Sequence, residues 1–225
     1  MSDMMMLGGS TMSSAWMRIP GQTWFDAATS FISMWVVMMA AMMLPSLVPM
    51  LRRYQHAVGT IGARRLAALT AVVGAGYFFV WTLFGLAVLP LSEAVAGLEM
   101  RWPAFERAAP IAIGMVVVIA SSLQFTEWKA RRLAWCREAP KRGEALAADP
   151  GTAWRHGMCL GLHCGQSCAG LMAIVLAVGV MDLRAMTIVT AAITAERLAP
   201  SGVRVARVMG YVGVAAGLFL IMMNR

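Results

Sequence analysis

Between Leu160 and Met172 the chain reads LGLHCGQSCAGLM, which sets His163 beside Cys164 and Cys168 four residues further on, with Cys159 just before. Thiolate and imidazole are soft to borderline ligands that suit Cu(I) or zinc, whereas carboxylates suit harder ions. At about 100° per residue, Cys164 and Cys168 share one helix face, and Cys159 and His163 share a neighbouring one. The Cys-x3-Cys spacing is neither the Cys-x2-Cys of zinc ribbons nor a haem-attachment signature. The spacing is therefore only suggestive, and the reading as a soft-metal site takes copper before zinc, with Cys164, Cys168 and His163 as core ligands and Cys159 in reserve. The plain alternative is packing, because cysteine is a small residue that buries readily.

The 21 methionines add a second soft donor. Met34, Met38 and Met42 lie on one stripe of a helix, and Met39, Met43 and Met50 on the adjacent stripe. Thioether sulfur favours Cu(I), so Met42 and Met43 join the candidate ligands, although methionine also fills irregular gaps in cores. A further cluster, Met4, Met5, Met6, Met12 and Met17, lies near the N-terminus in a segment with no core to fill.

The elements that must carry these residues are apolar. Of the 225 residues, 60% are hydrophobic and 13% charged, and the mean hydropathy is +0.69. A soluble domain of this length cannot hide so much apolar surface, so an all-α, polytopic membrane helix bundle is expected. Six spans are read, each judged against the roughly 20 residues a crossing needs: Ala27–Met50, Ala67–Val95, Ala109–Phe125, Met158–Met181, the short Arg184–Leu198, and Val205–Met223. Residues 1–26 read as a retained tail rather than a secretory signal, because positive charge comes late and no apolar core follows Met1. The domain itself is expected over 27–225, with its longest loop at 126–157. Within that loop EWKARRLAWCREA mixes apolar and positive residues, which suggests a short amphipathic helix lying on the cytoplasmic surface.

Most of the 19 Lys and Arg fall in three stretches, Arg52 to Arg65, Lys129 to Arg155 and Arg197 to Arg207. Basic residues in short loops stay cytoplasmic. The chain is therefore expected to sit in a bacterial inner membrane with both termini outside. Its net charge of +8 then faces lipid headgroups rather than nucleic acid. On that orientation all four cysteines lie toward the reducing side and remain free thiols.

Gly157, Gly161, Gly165 and Ala169 recur every fourth residue, a small-residue stripe that lets another helix come close. That helix could belong to this chain or to another membrane subunit. Glu196, near the end of an apolar segment, is either a functional intramembrane carboxylate and a further candidate metal ligand, or a partner of Arg197 or Arg131. No Ser-His-Asp set, Walker loop or GxGxxG stands out, so a binding protein is expected rather than an enzyme.

Several of these motifs together resemble a family of bacterial predicted metal-binding integral membrane proteins, domain of unknown function 2182. The resemblance runs from about Met34 to the C-terminus. It is carried by MWVVMMAAMMLPSLVPM, by GYFFVWTLFG, by Gln124, Thr126, Lys129, Cys136 and Arg137, by Cys164, Cys168 and Leu171–Met172, and by AERLAP, which picks out Glu196. The chain departs from that pattern at Glu127, Arg132, Ser167 and Ala169, and two of the family's thiols are missing. The resemblance implies a membrane protein that binds metal. Two readings follow: handling or supply of a soft metal, most suitably Cu(I), or a non-catalytic accessory subunit of a larger membrane redox complex, with incidental thiols. A small transporter is a weaker third, since the halves show no inverted repeat.

Overall fold

The computed structural model describes residues 23–101, 103–140, 145–178 and 182–223. The methionines expected in the N-terminal tail lie outside them. Among the described residues the regular structure is helical: α1 (Trp24–Val58), α2 (Ala63–Arg101), α3 (Pro103–Ser122), α4 (Glu127–Glu138), α5 (Pro150–Val178), α6 (Leu183–Leu198) and α7 (Gly202–Met223). The expectation of an all-α bundle is met.

Helix starts follow from local chemistry. Thr23 caps α1 by accepting from the Asp26 amide at 3.2 Å. Asp182 caps α6 by accepting from the amides of Arg184 and Ala185. Asp149 accepts from the Thr152 amide at 2.9 Å as α5 begins. Such side-chain acceptors satisfy the orphan N–H groups of a first turn. Pro45 and Pro49 are accommodated inside α1.

Among the described residues four helical stretches are long and apolar enough to cross a membrane: Trp24–Val58, Ala63–Leu91, Pro150–Val178 and Gly202–Met223. A fifth counts only if Pro110–Phe125 is joined to α4 across a 66° bend. Four or five of the six expected spans are thus supported among the described residues. The segment expected as span five forms α6, whose 16 residues reach about 24 Å, short of a hydrocarbon core of roughly 30 Å. The outward surface is apolar, with Val37, Ile119 and Val212 all more than half exposed. Length and surface together are compatible with a membrane protein.

The segment expected to lie along a membrane surface forms α4, and it is docked into the bundle. A 3-10 turn at Leu123–Phe125 leads into it, and Thr126 caps it by accepting from the Lys129 amide. Its inner face, Lys129, Leu133 and Cys136, is buried against α5 and α6.

The long pairing of α2 with α5 organises the rest. A Cβ on Gly157 would collide with the Val73 backbone, and one on Gly161 would come within 3.0 Å of the Tyr77 carbonyl oxygen. Gly165 faces the ring of Phe84 in the same way. Close backbone approach is what small residues permit. The stripe offered to a second subunit is therefore filled by this chain's own α2, with Ala169 left exposed. On the other side of α2, the Trp35 indole donates to the Trp81 carbonyl at 2.9 Å, keying α1 to α2.

Candidate metal centre

This keyed packing of α1, α2 and α5, closed by α4 and α6, brings a set of sulfur atoms together. Met43 on α1, Tyr77 on α2 and Cys164 on α5 have essentially no exposed surface. Cys164 Sγ lies 4.0 Å from Met43 Sδ and 2.8 Å from the Tyr77 hydroxyl. One turn along α5, the Cys168 thiol donates back to the Cys164 carbonyl at 3.0 Å. Ser167 donates to the same carbonyl at 2.9 Å. From α4, Cys136 Sγ approaches Ser167 Oγ at 3.9 Å. From α6, Arg197 donates through Nη2 to Cys164 Sγ at 2.9 Å and to Ser167 Oγ at 3.1 Å.

Arg197 has the highest electrostatic stake here. A guanidinium stays charged in proteins, and a buried charge is costly unless paired. The residue before it, Glu196, is taken up by Lys129, whose Nζ stands 2.8 Å from Oε2. That pair also fastens α4 to α6.

The candidate residues thus separate into groups. Cys164 and Met43 meet, Cys168 adjoins them, and Met42 is buried in the same core. His163 lies on another face of α5, its ring stacked on Trp135 with centroids 3.7 Å apart and Nδ1 2.9 Å from the Cys159 carbonyl oxygen. Cys159 is exposed. Glu196 is paired with Lys129, rather than with the expected Arg197 or Arg131. Lys129 and Arg197, read from the sequence as loop charges, are buried with partners inside the bundle.

Tyr77, Arg197 and Ser167 were not singled out as site residues, and Cys136 was marked only by resemblance. A usable signal did exist for Arg197, because an ionisable residue in an apolar segment is a functional candidate by default.

Among the described residues no group of three or more His, Cys, Asp or Glu side chains converges closely enough to hold a metal ion. An ion at Cys164 and Cys168 would find its next soft donor in methionine sulfur, which suits a soft cation and not a hard one. Metal–sulfur bonds of about 2.3 Å let one ion bridge two sulfurs standing 4.0 Å apart. The donors present fit copper as cargo.

No curated protein and no solved structure matches the chain. A family profile does match, over residues 32–220, and it takes in every helix that contributes to the sulfur cluster. The chain belongs to that family, the PpoB2 copper chaperones.

Proposed function

We propose that this protein carries Cu(I) as cargo within the bacterial inner membrane, holding it between Cys164 and Met43 with Cys168 as a further thiol, and releases it to a copper-requiring protein. The observation that carries this reading is the 4.0 Å approach of Cys164 Sγ to Met43 Sδ, from helices far apart in the chain and both fully buried. A thiolate supplies charge and a thioether supplies a soft neutral donor, the combination that favours Cu(I) over harder ions. Binding and transfer, rather than catalysis, is the role assigned.

In the same reading the chain crosses the membrane six times, with α6 as a short crossing and both termini outside. The clustering of arginines and lysines supports that orientation.

The test is copper content after anaerobic Cu(I) loading of the detergent-purified protein, with a chelator competing. A single Cu(I) per chain is expected, lost in Cys164→Ser, weakened in Met43→Leu and retained in His163→Ala. Equal copper in all four proteins, or none in the wild type, would remove the site from consideration.

A further inference from the structure

We infer that Arg197 makes this centre selective for a monovalent cation, by fixing one positive charge against the ligand sulfur. The inference rests on the reading above, that Cys164, Met43 and Cys168 hold the ion. Three observations support it. Arg197 is buried, and its Nη2 is 2.9 Å from Cys164 Sγ. Its Nη1 has no hydrogen-bond partner among the described residues. The adjacent carboxylate, Glu196, is taken by Lys129 at 2.8 Å, so that pair is neutral by itself.

Thiolate, not thiol, is the form of cysteine that ligates a metal. Metal uptake displaces the protons of both Cys164 and Cys168, and two thiolates, one guanidinium and one monovalent ion then carry no net charge together. A divalent ion in the same place leaves a buried positive charge, which the low-dielectric interior penalises heavily. A third thiolate would compensate, but Cys136 stops at Ser167, 3.9 Å from its oxygen, and among the described residues no third acidic ligand converges. Removing Arg197 reverses the preference, because two thiolates alone are neutralised by a divalent ion.

Softness and charge are separated by comparing Ag(I) with Cd(II), both thiophilic and differing in charge. Competition between the two is measured on the full chain in detergent, for the wild type, Arg197→Gln, Arg197→Lys and Ser167→Cys. The wild type should take Ag(I) and reject Cd(II). Arg197→Gln should move the ratio toward Cd(II) by roughly a hundredfold, the size expected for a unit charge a few ångströms away in a protein interior. Arg197→Lys should keep the wild-type ratio. Ser167→Cys, a small change that leaves Arg197 in place, should gain Cd(II) by supplying the missing negative charge. A wild type that binds Ag(I) and holds Cd(II) equally well overturns the inference. So does a ratio unmoved in both Arg197→Gln and Ser167→Cys, and either result leaves the copper reading standing. A wild type that binds neither Ag(I) nor Cu(I) overturns both.

Discussion

Removing either member of the buried Lys129–Glu196 pair should cost far more stability than removing both. The two side chains are 5% and 3% exposed, with nitrogen and oxygen 2.8 Å apart. At an effective dielectric constant of 20 their attraction is about 6 kcal/mol, and much of this is offset by the desolvation of both charges. Lys129→Met leaves an uncompensated carboxylate, and Glu196→Leu leaves an uncompensated ammonium. Each single variant should lose about 3–5 kcal/mol, whereas the double variant should fall near the wild type or above it. The coupling energy in the cycle is then about 6 kcal/mol or more, well beyond what an exposed pair shows. The assay is unfolding in mixed detergent–SDS micelles, followed by tryptophan fluorescence, which the 8 tryptophans of the chain make sensitive. Single losses below about 1 kcal/mol that add up to the double value would mean the pair is solvated, and the docking of α4 on α6 would need another explanation.

Four further outcomes are expected. Gly157→Ala should destabilise by about 1–3 kcal/mol, because the new methyl meets the Val73 backbone and not a side chain that could move. Gly74→Ala, with nothing within 4 Å, should be neutral or stabilising by about 0.5–1 kcal/mol in the same micellar unfolding assay. Trp35→Phe should cost about 1–3 kcal/mol by orphaning neither α2 nor its helix but removing the indole bond to Trp81. A melting temperature equal to the wild type would refute the keying of α1 to α2. Hydrogen bonds from Thr152 hold the Asp149 carboxyl below its usual range. The cap it provides for α5 is therefore complete above the ordinary aspartate range, near pH 4, and is lost as pH falls through the lower folded value. Hydrogen exchange at Thr152 and Ala153, corrected for intrinsic rates, should show protection fading only in that acidic window. In Asp149→Ala the protection should be weak at every pH, and protection equal to the wild type would refute the cap.

The helical architecture was legible because membrane crossings announce themselves in windows of about 20 residues. The count was less legible. The apolar length of α3 continues through a bend into α4, and α6 is too short for its composition to separate a crossing from a packed helix. Cys164, Cys168 and Met43 were recognisable as soft donors from type alone. That Cys164 faces Met43 could not be read, since 121 positions separate them and only the packing of α1 and α5 on α2 unites them. His163 illustrates the converse, adjacent to Cys164 in sequence and stacked on Trp135 in space. Lys129 and Arg197 read as loop charges because a charge signals water until its partner is known. Their partners, Glu196 and Cys164, lie on other helices.

The scattering of the cluster along the chain bears on biosynthesis. Met43 is made early, Cys164 comes 121 positions later, and Arg197 follows a further 33 positions on. On the proposed function, most of the protein is therefore threaded into the bilayer before any assembled grip on copper exists. Until then the growing polypeptide presents only isolated thiols and thioethers, poor competitors for a toxic ion. On that reading loading is a readout of completed insertion, and by mass action a bound ion favours the finished assembly over every partly inserted one.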